Sequence, residues 1–321
     1  MAVYTEVSEA EAKAFLADYD LGELRELVGI KQGVENTNYF LYTSVGRYVL
    51  TLYEKRVKED DLPYFLGLME HLAKAGVPCP PPLRNREHEP VGRIAGRAAA
   101  ITCFLDGKPL SRVTPNECGE VGRALAGLHL AGMDFTQRRA NTLSLDGWEN
   151  LLDLCKPRAD EVQPGLGALL TAELEYLNAN WPRDLLQGAI HADLFPDNVF
   201  FEGNKLSGLI DFYFACDDLF AYDLAICLNA WCFENNVAFN ITKARALFGG
   251  YNQVRPLSDG ETKALAVLAR GAALRFLLTR LHDWLHQVPE AFVKPKDPLD
   301  YLTRLQFHQL VSDTAAYGIG A

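Results

Sequence analysis

Two periodicities divide the chain. Over roughly the first 105 residues, β-branched and aromatic residues gather in short runs bounded by turn formers. "NTNYFLYTS" and "GRYVLTLYE" flank Ser44-Val45-Gly46 and read as a β-hairpin, and "GRAAAITCFL" reads as a further strand. Two helices are expected in this part. One opens at the capping-box pattern Ser8 to Glu11 and runs to about Tyr19. The other runs from about Leu62 to Lys74, with Phe65, Leu68, Met69 and Leu72 at helical spacing, and breaks at "GVPCPPPL". Residues 23 to 32 fit neither pattern. From Thr114 the period becomes helical. Thr114, Pro115 and Glu117 combine an N-cap, an N1 proline and a capping box. Further helices are predicted over 148–155, 165–180, 219–233, 242–252, 259–285 and 299–315, interrupted only by "NVFF" and "LSGLIDFY", a second hairpin.

The expected fold class is therefore α+β, in two parts: a small β-rich N-lobe over residues 1–105 and a mostly helical C-lobe over 106–321, with "CFLDGKPL" as the hinge. A chain of 321 residues is long for one compact unit and can bury roughly 75% of its unfolded surface.

Composition narrows the function. With 49% hydrophobic and 23% charged residues this is an ordinary globular chain. Its net charge of −11 argues against a nucleic-acid partner, which needs a basic surface, but not against a nucleotide whose phosphates are neutralised by metal ions. The seven cysteines form no CxxC pair and sit in apolar stretches, which reads as reduced thiols in a cytoplasmic protein. The acidic N-terminus lacks the apolar segment of a secretory signal, and no run of about 18 apolar residues reads as a membrane span.

Candidate chemistry lies in "IHADLFPDNVFF", residues 190 to 201. Asp193 precedes Asn198 by five residues, and Asp211 follows thirteen residues later in "LIDF". A carboxylate, an amide and a second carboxylate from a loop and the strand after it suit phosphoryl transfer. One aspartate takes or orients the acceptor's hydroxyl proton, and the asparagine and the other aspartate hold Mg²⁺ against the phosphates. Read singly, the Asp-Pro-Asp-Asn cluster is also an ordinary turn and His191 an ordinary structural histidine. His191, Asp193 and Asp211 also admit a transition-metal site, although no second His or Cys stands at ligand spacing. The joint pattern H-x-D-L-x-x-x-N, the 13-residue gap and the β-rich part before it favour a kinase.

"HADLFPDNV" and "LIDF" resemble the catalytic loop and metal-binding motif of the aminoglycoside phosphotransferase and choline kinase superfamily, two-lobed relatives of protein kinases. "GRALAGLH" (122–129) resembles its helix ending in Leu-His, and "YDLA" (222–225) its Asp-Leu-Ala helix start. Within it, "GVENTNYFLYT", "RYVLTLYE", "LPYFLGLMEHLAKAGVPCP" and "HADLFPDNVFF" look most like the type II homoserine kinases. The resemblance implies ATP and Mg²⁺ as cofactors and the hydroxyl of L-homoserine as acceptor, a step of threonine biosynthesis. It implies Asp193 as the base, Asn198 and Asp211 as metal ligands, and Gly33, Asn36, Thr37 and Asn38 in the turn that covers the nucleotide.

One departure stands out. Many relatives carry a strand lysine paired with a helix glutamate. Here the strand reads Val49-Leu50-Thr51 and the helix position falls near Phe65, so both charges are absent together. Lys55, Arg47 and Lys31 are the alternative cations for the phosphates. For a zwitterionic acceptor, Arg275 and Arg280 can meet the carboxylate, Asp217 or Asp218 the ammonium, and Trp231 and Trp284 can wall the pocket; each reads equally as a salt bridge or core residue. Two other readings stay open. One is a kinase of the same fold for choline, an aminoglycoside or methylthioribose; the other is a silent nucleotide- or partner-binding protein.

Overall fold

The computed structural model describes residues 4–30, 36–54, 57–235, 237–287 and 295–319. It divides into two compact units: residues 1–107 with 207–213, and residues 108–206 with 214–321. The division expected near residue 105 thus meets a second crossing of the chain. Residues 207–213, read from sequence as part of the helical lobe, belong to the first unit, where the Leu209 amide donates to the Pro78 carbonyl.

The first unit is an antiparallel sheet with two helices. The helices are α1 (Glu9–Leu16) and α2 (Leu62–Lys74), and the strands are β1 (Leu24–Gly29), β2 (Thr37–Thr43), β3 (Arg47–Leu52), β4 (Gly92–Ile94) and β5 (Arg97–Cys103). The strand order is β1-β2-β3-β5-β4. The segment over 23–32 that fitted neither period holds β1, half exposed along its length. The expected hairpin forms β2 and β3, and its register sets Asn38 opposite Thr51. Leu16, Tyr39, Leu41, Leu50, Leu52 and Ile101 form the core beneath α1.

The second unit is helical: α3 (Pro115–Gly132), α4 (Leu145–Cys155), α5 (Ala159–Val162), α6 (Leu166–Asn180), α7 (Phe220–Trp231), α8 (Ile241–Val254), α9 (Asp259–Leu285) and α10 (Leu299–Gln309). The predicted extension of the last helix to 315 does not occur: α10 stops at Gln309 and a 3₁₀ turn follows over Thr314–Tyr317. Strands are also more numerous than the sequence suggested. Besides β7 (Val199–Glu202) and β8 (Lys205–Leu209), which are joined by a turn at Gly203, β6 (Gln187–Ile190) pairs antiparallel with β9 (Cys216–Leu219), and β10 (Phe233–Glu234) with β11 (Ala238–Phe239). Four-residue strands carry too little pattern to show in sequence.

Helices α3 and α8 touch backbone to backbone. A Cβ at Gly122 would lie 2.1 Å from the Leu247 carbonyl oxygen, and one at Gly250 2.1 Å from that of Gly119, so only glycine permits the approach. No described helix is long and apolar enough to cross a membrane.

Buried polar side chains tie the helices together. His308 on α10 is fully buried; its Nδ1 accepts from the Tyr317 hydroxyl at 2.8 Å and its Nε2 donates to Asn229 Oδ1 on α7 at 3.2 Å. Burial first, and then Arg304 and Arg270, push its pKa down to about 3. The native state thus binds this proton less tightly than the unfolded chain does. Its contribution is complete above about pH 6.5 and is lost as pH falls from there towards 3, with a slope near 1.4 kcal/mol per pH unit. Denaturant unfolding at a series of pH values should show stability falling across this window, and His308→Gln should flatten the fall. An unchanged slope in the variant would assign the acid sensitivity to other groups.

Candidate active site

The loop that carries Asp193 begins at β6 and is set by the backbone of Ala192. This residue has φ of 62°, in the left-handed region that costs a non-glycine residue roughly 1–3 kcal/mol. Two opposite charges hold it there. Its N–H donates to Asp223 Oδ1 at 2.9 Å, and its carbonyl accepts from Arg275 Nη1 at 2.5 Å. The His191 amide donates to the other oxygen, Asp223 Oδ2, at 2.8 Å. Asp223, from the first turn of α7, and Arg275, from the middle of α9, thus clamp one residue through the two peptide groups that flank its Cα.

Asp223 is fully buried and has a third donor, His129 Nε2, at 3.1 Å. Burial alone would push its carboxyl up. The hydrogen bonds from His129 and the His191 amide outweigh that, and the group stays below the ordinary carboxylate value and ionised. Burial likewise holds the His129 imidazole below its ordinary pKa in spite of Asp223. A carboxylate only accepts, so Nε2 carries the proton and Nδ1 accepts from the Tyr251 hydroxyl at 2.8 Å. Tyr251 accepts from Arg255 at 3.0 Å, and Arg255 pairs with Glu261 at 2.5 Å. A buried chain thus runs from the N-terminus of α9 through α8 and α3 to the loop.

Beyond Ala192 the loop is pinned at Leu194, whose carbonyl accepts from Trp231 Nε1 at 2.7 Å. Asn198 Nδ2 donates to the Asp193 carbonyl at 2.8 Å and to Asp193 Oδ2 at 3.2 Å. The five-residue spacing noted in the sequence thus closes a ring that fixes the Asp193 carboxylate and leaves the Asn198 amide oxygen as an acceptor. Such an oxygen suits a hard cation such as Mg²⁺.

Asp211 lies in the other unit. Its φ of 65° places it in a left-handed bend two residues past the end of β8 rather than at a strand end as expected. Among the described residues no group of three His, Cys, Asp or Glu gathers as a metal centre. A Mg²⁺ ion carried by phosphates needs only one or two protein oxygens.

The place of the missing ion pair is filled by neutral groups. Thr51 Oγ1 donates to Asn38 Oδ1 at 2.7 Å, as the β2–β3 register dictates. Phe65, at the helix position, packs edge-on against Tyr213 at 5.8 Å, and the Tyr213 and Tyr53 hydroxyls lie 3.3 Å apart. Burial pushes the Tyr213 phenol up to about 12, helped by the nearby charge of Asp211. The two phenols that feel the charge of Asp211, Tyr53 and Tyr213, thus stay protonated.

The remaining candidates divide. Gly33, Lys31 and Lys55 lie outside the described residues. Thr37 is fully buried; its hydroxyl donates to Glu54 and accepts from the Tyr4 and Thr5 amides, so it organises the strand end and is not aimed at a phosphate. Asn36 Oδ1 likewise accepts from the Glu54 amide. Arg47 pairs with Asp106 at 3.0 Å over the Phe104 ring. Arg275 and Trp231, expected at the acceptor, are 2% and 1% exposed, and Arg275 Nη1 and Trp231 Nε1 each donate to a loop carbonyl. Asp217 accepts from Arg138 and from the Arg139 amide, Asp218 from Asn141 and from the Leu219 amide. Trp284 is 39% exposed on α9. Arg280 pairs with Asp300 at 3.2 Å and donates to the Asp297 carbonyl. The clamp residues Asp223 and His129 gave only the signal of their "YDLA" and "LH" settings, and Arg275 gave none for the role it plays.

Restoring half of the ion pair tests the neutral replacement. Thr51→Lys should destabilise by roughly 3 kcal/mol, the cost of an unpaired buried charge, and adding Phe65→Glu should recover at least about 1 kcal/mol of coupling. Additive effects in a thermal-melt double-mutant cycle would show that the two positions do not share a dry environment.

Residues 26–257 match the family model of the phosphotransferase enzyme family. The chain is 60% identical over all 321 residues, covering 100% of both chains, to the homoserine kinase of Parvibaculum lavamentivorans. It is 57% identical to that of Rhodospirillum rubrum, covering 99% of each chain. Solved structures share the fold at low identity. An aminoglycoside phosphotransferase from Alicyclobacillus acidocaldarius has a TM-score of 0.65 at 17% identity, covering 94% of this chain and 92% of its own. An ethanolamine kinase from Plasmodium vivax has 0.63 at 15% identity, covering 97% of each. The protein-kinase-like α+β architecture expected from the sequence is therefore the observed one, and the chain belongs to the phosphotransferase enzyme family and, within it, to the homoserine kinases.

Proposed function

We propose that the protein transfers the γ-phosphoryl group of ATP to the hydroxyl of L-homoserine, giving O-phospho-L-homoserine and ADP in the cytoplasm. The carrying observation is the clamped loop. Asp193 is oriented by Asn198, on a backbone that Asp223 and Arg275 fix in a strained conformation before any substrate arrives. The full-length identity to homoserine kinases supports the acceptor.

In this reading Asp193 orients the homoserine hydroxyl and takes its proton as the oxygen attacks the γ-phosphorus. The bond from that phosphorus to the β,γ-bridging oxygen breaks, and ADP departs with the electron pair. Asn198 and Asp211 are the residues that would hold Mg²⁺, which neutralises charge on the phosphates. Asn38, half exposed on β2, is the described residue of the covering turn best placed to meet the nucleotide. Asp223, His129, Arg275 and Trp231 act through the loop's backbone as positioning residues.

Initial rates with Mg²⁺-ATP across L-homoserine, choline, methylthioribose and an aminoglycoside test the acceptor. L-homoserine should give the highest kcat/KM, and preference for another of these would reject it while leaving phosphoryl transfer intact. L-serine should react on the order of 10²-fold more slowly, because its hydroxyl stops one C–C bond short.

Asp193→Asn should lower kcat roughly 10²–10⁴-fold with ATP binding little changed. Asp223→Asn turns an N–H towards the loop's own amide donors. It should lower kcat and thermal stability together, whereas Asp193→Asn should leave the melting temperature within about 2 °C. Full turnover in Asp193→Asn would remove that residue from the chemistry.

A further inference from the structure

The register between β2 and β3 ends at Thr37 and Leu52, and side chains continue the pairing beyond it. They gather on Glu54. Its amide donates to Asn36 Oδ1 at 3.2 Å. Its side chain is only 10% exposed. Oε1 accepts from the hydroxyls of Thr37 at 2.8 Å and Thr5 at 2.6 Å, and Oε2 pairs with Arg97 of β5 at 3.2 Å. Thr37 in turn accepts from the Tyr4 and Thr5 amides at 3.0 and 3.2 Å. The Tyr39 hydroxyl accepts from the Val7 amide at 3.0 Å and donates to the Thr5 carbonyl at 2.9 Å. One carboxylate thus joins the N-terminal segment, the start of β2, the end of β3 and the edge of β5.

This node leads directly to Asn38. The Asn38 carboxamide is held from two sides: Oδ1 accepts from Thr51 at 2.7 Å, and Nδ2 donates to the Asn36 carbonyl at 3.4 Å. Asn36 is the residue whose side chain the Glu54 amide holds, and Thr37, between Asn36 and Asn38, is held by the Glu54 carboxylate. Glu54 therefore fixes both residues that precede Asn38. Thr51 stands where many relatives carry a strand lysine. In this chain the neighbouring strand is placed instead by the Thr51 hydroxyl and by the Glu54 node.

We propose that Glu54 is a positioning residue for nucleotide binding: it fixes Asn36 and Thr37 and so aims the Asn38 carboxamide at the nucleotide. The proposal rests on the reading above in which Asn38 meets ATP. Hydrogen bonds to an ionised acceptor are about twice as strong as neutral ones, so a carboxylate holds the start of β2 more firmly than a neutral turn would. A binding group ordered in advance spares the ligand the conformational cost of ordering it. Loss of the node therefore weakens the nucleotide without touching the groups that surround Asp193.

Calorimetric titration with Mg²⁺-ADP reads the effect without any acceptor. Glu54→Ala should raise Kd about tenfold, whereas Glu54→Gln, which keeps an oxygen for the two threonine hydroxyls, should stay within about threefold of the wild type. In turnover, Glu54→Ala should raise KM for ATP by a similar factor and leave KM for L-homoserine, and kcat at saturating ATP, within about twofold. Asn38→Ala should itself weaken Mg²⁺-ADP, and the double variant should bind no more weakly than the weaker single variant, because the two residues act in one chain. A lowered melting temperature with Kd for Mg²⁺-ADP unchanged would overturn the proposal and leave Glu54 a structural residue. Additive losses in the double variant, or wild-type binding by Asn38→Ala, would overturn the route through Asn38. If Glu54→Ala does not fold, Thr5→Val, which removes one donor to the same carboxylate, takes its place in the cycle and should raise Kd at least about threefold. If the wild type does not phosphorylate homoserine but Kd for Mg²⁺-ADP follows this pattern, the positioning role stands and the acceptor assigned above falls.

Discussion

The backbone of Ala192 is the constraint on which the helical unit depends. Its amide is held by a carboxylate and its carbonyl by a guanidinium, so a residue that would rather leave the left-handed region cannot. The two charges come from different helices, α7 and α9, and meet through the loop's backbone. A direct buried ion pair gains little over apolar packing. An ion pair with a residue's backbone inserted between its members instead fixes the φ and ψ of that residue, and here the residue immediately precedes Asp193. The buried chain from Glu261 through Arg255, Tyr251 and His129 to Asp223 satisfies the carboxylate's remaining lone pairs and spreads its charge over three helices.

The first unit handles its polar interior in the opposite way. Where relatives place a lysine and a glutamate, it has Thr51 hydrogen-bonded to Asn38, and Phe65 packed on Tyr213. Neutral groups carry a smaller desolvation penalty than ions, and the phenols stay protonated because burial raises them. Loss of one charge forces loss of the other. That is why the two departures from the family pattern, far apart in sequence, are one structural fact.

Much of this was legible in the sequence because it is local. Helices α2 and α9 end where the caps and prolines say, and the Asp193–Asn198 spacing closes the ring that the loop needs. The interpretation failed where a long polar side chain lies in an apolar helix. Arg275 and Trp231 read as acceptor contacts because their spacing cannot show that a carbonyl from a loop 83 or 37 residues away lies within hydrogen-bond reach. The strands β6 and β9 were missed for a related reason. Each is four residues long, and their stability comes from the pairing of Gln187 with Leu219 and of Ile190 with Cys216, not from any pattern within either segment.

The contrast between the buried arginines of α9 and α10 follows from how each is neutralised. Arg270 is bidentate on the buried Glu173, at 2.7 and 2.6 Å, so its charge is consumed within the core. Arg275 Nη1 donates to a carbonyl, which offers a dipole and no net charge, in keeping with its balance against Asp223 across one residue. Arg280 pairs with the Asp300 carboxylate at 3.2 Å, and both Arg280 and Arg304 lie over the Tyr301 ring, whose face attracts cations. Along one helix pair, then, the buried arginines are held in different ways: Arg270 by a full counter-ion, Arg275 by a carbonyl dipole, and Arg280 by a carboxylate together with a π face.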